Sequence, residues 1–131
     1  MNEKVVHLLN DQMWYLATYS DEPNAVPVAF KDVTDDGKLL VGDVFLDTTL
    51  KNIEKNGQIA VSVSDGANME GYQIKGTAEY LTEGPIVDFF KKAVSDLFDG
   101  AITAKGAVVI TPKKVIVTTP GPDNKKELAL S

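Results

Sequence analysis

Cysteine is absent from the 131 residues. Its absence excludes disulfides, thiolate zinc sites, cysteine-held iron–sulfur clusters and a cysteine nucleophile. Histidine is nearly absent as well. His7 is the only one, so a multi-histidine metal centre is excluded and any histidine-dependent chemistry has one candidate. No apolar run approaches the roughly 18 residues of a membrane span, and no secretory apolar core follows a basic N-terminus. The expectation is a cytoplasmic protein without a membrane partner. Positive charge is also in deficit: thirteen basic residues stand against nineteen acidic, a formal net charge of −6. A nucleic-acid binder needs a basic stripe to neutralise phosphates, so none is expected as partner.

What remains is 44% hydrophobic and 24% charged, a composition that folds as a globular domain. There is no internal repeat, no low-complexity stretch and no Ser/Gly linker, so residues 1–131 form one domain. Because protein-borne nucleophiles and metal ligands are so poorly supplied, an enzyme of this composition would depend on a bound cofactor.

Hydrophobic periodicity and turn residues divide the chain into short elements. A helix is expected over residues 3–11, with Val5, Val6, Leu8 and Leu9 as its apolar positions. Strands follow at residues 13–19 (MWYLATY) and 25–31 (AVPVAFK), separated by the turn cluster SDEPN, and a third runs over residues 38–43 after Asp35-Asp36-Gly37. A short helix opens at Asp47-Thr48-Thr49 and stops at Asn56-Gly57. Alternating strands at residues 58–64 and 72–81 lead to a longer helix over residues 85–98, with Pro85 at its first position. Two further runs, 107–111 and 114–119, flank Thr111-Pro112-Lys113, and residues 119–131 form an irregular tail. Six or seven short strands with three helices indicate a mainly β protein, a closed or split antiparallel barrel with helices at its flanks.

Three segments carry groups suited to a ligand. In AVPVAFK, Val26, Val28 and Phe30 form an apolar face, while Ala25, Pro27, Ala29 and Lys31 form a small-sided face ending in a cation. The second face suits a flat anionic ligand; it equally suits an exposed edge strand, which Pro27 favours. Thr48 and Thr49, with Lys51, stand at a helix start, where unpaired N–H groups and the helix dipole attract phosphate oxygens. The same residues are also ordinary capping groups. Gln73 and Lys75 share one face of their strand and either reach a ligand or a partner chain or lie in solvent. Asp43 and Tyr72 are acid–base candidates by residue type, and no residue is assigned as catalytic.

Taken in order, AVPVAFK, DDG, KLLVGD and DTTLKNIEKN resemble the pyridoxamine 5′-phosphate oxidase-like family of split-barrel flavoproteins, the short FMN-binding members above all. The block GYQIKGTAEYLTEGP (residues 71–85) is similar to a further family segment, and the likeness extends to about residue 122. The resemblance implies a homodimer of six-stranded antiparallel split β-barrels with FMN in clefts at the dimer interface. It places the flavin against Val26, Pro27, Val28 and Ala29, with Lys31 near the end of that strand, against Gly42 and Asp43, and puts the phosphate at Thr48 and Thr49. Oxidase members usually carry an Arg-Lys pair at those last two positions. Two neutral hydroxyls leave the phosphate to helix N–H groups and to Lys31, Lys51 or Lys75 of either subunit. The chain lacks the C-terminal extension and the arginine and histidine residues used for pyridoxal substrates, so that oxidation is not its expected activity. A redox flavoprotein is expected instead. The alternative is a non-enzymatic binding or sensing protein for another anionic aromatic ligand, a deazaflavin or, less readily given only His7, haem.

Overall fold

The computed structural model describes residues 1–130. Three helices, α1 (Glu3–Asp11), α2 (Thr48–Asn56) and α3 (Pro85–Leu97), flank strands β1 (Trp14–Tyr19), β2 (Pro23–Val28), β3 (Lys31–Val33), β4 (Leu39–Asp43), β5 (Gln58–Asp65), β6 (Glu70–Leu81), β7 (Gly106–Val117) and β8 (Glu127–Leu128). All strand pairs are antiparallel, in the order β2-β1-β5-β6-β7-β4-β3, with β8 joined to β7. Among the described residues no helix is long and apolar enough to cross a membrane.

Connectivity forces this sheet to curl. Six spacings of about 4.8 Å would hold β2 and β3 roughly 29 Å apart in a flat sheet. Yet Val28 and Lys31, the end of β2 and the start of β3, are linked by three peptide units that reach at most about 11 Å. The two edges therefore meet at Ala29-Phe30, and the Gly42 N–H donates to the Phe30 carbonyl (2.9 Å) across that joint. The result is a split barrel with seven strands around it and an eighth appended, rather than six. The segment AVPVAFK, continuous by its sequence pattern, is broken at the joint because its two halves serve opposite edges of the sheet.

Two apolar clusters hold the barrel. The inner one takes alternate residues of the strands, including Trp14, Leu16, Val41, Val61, Val63, Ile74, Ile110 and Val115, and α1 plugs it with Val5, Leu8 and Leu9. The Trp14 indole N–H donates to the Leu9 carbonyl (2.8 Å), which satisfies its one polar atom. The outer cluster packs α3, through Val87, Phe90 and Val94, on Leu40, Ala107 and Val109. Strand β4 is thus buried on both faces. A Cβ on Gly42 would lie 2.7 Å from the Phe90 ring, so glycine there lets α3 approach the sheet.

The runs on either side of Pro112 are one continuous strand, β7. A register shift opposite Lys75 and Gly76 accommodates the proline, which cannot donate to a regular ladder. The tail is not wholly irregular either. Residues Gly121 (φ 133°) and Lys125 (φ 75°) turn it back so that Glu127–Leu128 pairs with β7.

Candidate functional site

The joint between the sheet edges leaves a groove of about 490 Å³, within the size range of small-molecule sites. One wall is Val26, Pro27, Val28, Ala29 and Phe30; the other is Gly42 with Val44, Phe45 and Leu46, the connector from β4 to α2. Phe98 closes one side, its ring 6.2 Å from that of Phe30. The far end is the start of α2, with Asn24, Asp47, Thr48 and Thr49. Because β2 pairs with β1 alone, it presents unpaired main-chain groups along its free edge. Pro27 is tolerated there because that edge carries no further ladder.

The helix start is not capped in the ordinary way. Asp47 occupies the N-cap but its carboxylate makes no capping bond; it lies 3.3 Å from the Lys51 ammonium, both side chains being largely exposed. The first intrahelical bond is Lys51 N–H to the Asp47 carbonyl (3.1 Å), so the amides of Thr48, Thr49 and Leu50 precede it and have no helical partner.

The two threonines differ. Thr48 is exposed, whereas Thr49 is buried and its hydroxyl accepts from Asn24 Nδ2 (3.0 Å). Asn24 also reaches Thr18 Oγ1 (3.3 Å), to which buried Asn52 donates (3.0 Å). This network pins α2 to β1 and β2 and fixes where its N-terminus points. Sequence pattern missed it: Asn24 reads as a turn residue and Asn52 as a polar helix position. The available signal was spacing, since Asn52 lies three residues after Thr49 and next to buried Ile53.

Asp43 sits beneath the groove rather than in it. Fully buried, it accepts the Tyr80 O–H at Oδ2 (2.6 Å) and the Leu46 N–H at Oδ1 (2.9 Å), with the Lys105 ammonium 4.0 Å away. It therefore sets the path of the connector that forms one wall. Burial, then the bond to Asp43, raises the Tyr80 phenol well above its usual range. Tyr80 carries no motif and is recognisable only from the fold.

The other expected site residues are dispersed. Lys31 turns away from the groove: its ammonium donates to the Leu9 carbonyl at the end of α1 (2.7 Å) and stands 5.2 Å from the centre of the Trp14 ring. Burial lowers its pKa, partly offset by Asp11 and Asp32. Lys51 is held by Asp47. Gln73 and Lys75 lie on β6, opposite Ser62 and Ala60 of β5, outside the groove lining. Tyr72 donates to Glu70 (2.6 Å), and its phenol is pushed up to about 12, chiefly by burial. His7 is exposed and 3.1 Å from Asp11. The structure thus gathers Val26, Pro27, Val28, Ala29, Gly42, Thr48 and Thr49 around one groove, with Asp43 supporting it.

Comparison with known proteins places this geometry. Residues 1–121 match the family model of pyridoxamine 5'-phosphate oxidase. The uncharacterized protein MJ0282 of Methanocaldococcus jannaschii is 33% identical over 133 residues, covering 98% of this chain and 88% of the relative. Among solved structures, HupZ of Group A Streptococcus superposes with a TM-score of 0.77 at 25% identity, covering 94% of this chain and 98% of that one. An FMN-binding protein from Syntrophomonas wolfei gives 0.79 at 20% identity, covering 92% and 87%. With the family model matched over residues 1–121 and 98% of its length covered by a relative 33% identical, this chain belongs to the pyridoxamine 5'-phosphate oxidase family.

Proposed function

We propose that the protein is a homodimeric flavoprotein that binds FMN in the groove at the split of the barrel and serves as a redox protein or small-substrate oxidoreductase. The observation that carries this reading is the groove itself, an apolar slot along an edge strand that ends on uncapped helix amides. Exposed Pro27 and Ala29 with half-buried Val26 and Phe30 would bury the ring system, at about 25 cal/mol per Å² of apolar surface, whereas Val28 is committed to the inner core. Free main-chain groups of β2 suit the polar edge of the ring, and the α2 amides with the Thr48 hydroxyl suit the phosphate. The flavin, when bound, supplies hydride and electron transfer. The chain's own part is to bind, orient and exclude water. No groove residue is placed as an acid or base, and Asp43 has both oxygens engaged.

Dimerisation is supported by the outer face of the sheet. Tyr15, opposite Pro27 and Ser62, and Ala17, opposite Ala25 and Ala60, make a surface without charged side chains across β2, β1 and β5, with Tyr15 and Tyr19 exposed on it. Gln73 and Lys75 share this face, so they reach a groove only across an interface with a second copy.

Titration of the purified protein with FMN, riboflavin, a deazaflavin and haem, followed by absorbance, with sedimentation to give the oligomeric state, tests the reading. The expected result is FMN binding at micromolar concentration or tighter by a dimer; a folded protein that binds no FMN ends it. Thr48→Ala is expected to weaken FMN about tenfold and leave riboflavin unchanged, the low end of the value of one hydrogen bond to an anion, as suits an exposed hydroxyl. Thr49→Ala acts differently. It removes the nearer of the two acceptors of Asn24, leaving Thr18 at 3.3 Å, and is expected to cost about 1 kcal/mol of stability in urea unfolding.

A further inference from the structure

The lining of the groove contains no cation. Of its fourteen residues only Asp47 is titratable, and it stands where helix amides would receive an anion. All thirteen basic residues of the chain are lysines, so neither this subunit nor a second copy offers a guanidinium fork for a phosphate dianion. Lys31, the cation nearest the groove wall in sequence, is committed to Leu9 and Trp14. Lys51 lies on the first turn of α2, but its charge is matched by Asp47 at 3.3 Å, and it is not part of the lining. Strand β2, the connector and α3 contribute no ionisable side chain to the lining apart from Asp47. An anion at this end therefore meets about half a positive charge from the helix, the Thr48 hydroxyl, and one carboxylate ahead of the ammonium that balances it.

We propose that the groove, on the reading that it holds a flavin, selects a phosphate bearing a single negative charge, and that Asp47 is the residue that sets this limit. Phosphodiester tails and the monoanion of a phosphomonoester meet the condition. The second charge that a phosphomonoester acquires near pH 6 falls beside the Asp47 carboxylate, and the lining contributed by the same subunit holds no cation to receive it. This is a specificity determinant acting on ligand charge, separate from the apolar burial of the ring.

The test is titration with riboflavin, FMN and the methyl phosphodiester of FMN, at about pH 5 and about pH 8, constant ionic strength, on the wild type and on Asp47→Asn. FMN is expected to bind about three- to fivefold more weakly at the higher pH, while riboflavin and the methyl diester hold constant, a magnitude typical of exposed charge pairs. Asp47→Asn is expected to abolish most of that difference by strengthening FMN at the higher pH, with riboflavin affinity and thermal unfolding unchanged. FMN affinity that is flat or rises with pH relative to riboflavin, as a lysine from a second subunit would cause, overturns the proposal. So does an Asp47→Asn protein that keeps the wild-type pH profile. Failure of riboflavin and FMN alike to bind overturns the flavin reading itself, and is distinct from either result.

Discussion

Asp43→Ala is expected to lower stability by about 3 kcal/mol and to weaken any ligand of the groove more than stability alone explains. The carboxylate is fully buried and satisfies two donors, the Tyr80 hydroxyl and the Leu46 amide. Truncation deprives both half-buried donors of this acceptor, at about 1–3 kcal/mol each before relaxation. The Leu46 amide belongs to the connector that forms one groove wall, so the wall loses its anchor along with the fold. Asp43→Asn keeps an acceptor for Leu46 and is expected to lose about 1 kcal/mol, with ligand affinity retained. Urea unfolding with and without ligand checks both. Equal ligand affinity in Asp43→Ala and wild type would show that the connector keeps its course unaided. The pair also gives a pH signature. Because burial and Asp43 raise the folded Tyr80 pKa above its unfolded value of about 10, its contribution is complete below about pH 10 and is lost as pH rises through the folded value. Tyr80→Phe is expected to abolish that alkaline loss.

Gly76→Ala is expected to be at least as damaging, at about 3 kcal/mol or outright failure to fold. Opposite Gly76, β7 carries Pro112 and the register shifts. A Cβ there would lie 2.2 Å from the Thr111 carbonyl oxygen, 3.0 Å from its carbon and 3.1 Å from Pro112 Cα. All three are main-chain atoms of a paired strand, so no side-chain rotation relieves the overlap and the β6–β7 ladder has to part. Gly66→Ala is the control: nothing lies within 4 Å of its added carbon, and its expected effect is within about 0.5 kcal/mol. Comparing the two by urea denaturation decides the point, and a Gly76→Ala protein as stable as Gly66→Ala would show that the bulge yields at little cost.

Much of the local structure was legible in the sequence because local rules govern it. The Asn56-Gly57 stop of α2 is a left-handed C-cap with Gly57 at φ 67°, as glycine's freedom at that position requires. The face of α1 follows the three-and-four spacing of Val5, Leu8 and Leu9. Alternation in QIAVSVS buries Ile59, Val61 and Val63. Reading failed where a segment answers to partners remote in sequence. Residues 25–31 have the pattern of one strand, but closure of the sheet divides them between β2 and β3. Residues 107–111 and 114–119 have the pattern of two runs about Pro112, but a bulge lets a single strand carry the proline.

The sequence by itself determined most of the element types, the apolar faces of the helices and strands, and the want of cysteine and histidine chemistry. Each of these is set within a few residues by periodicity, turn chemistry or composition. Tertiary structure alone decided what the polar side chains do. Lys31 serves Leu9, 22 residues away, Thr49 is held by Asn24, 25 away, and Asp43 is matched to Tyr80, 37 away. A buried polar group must find its complement wherever the chain returns to it, and that meeting depends on how the sheet closes, which no local pattern encodes.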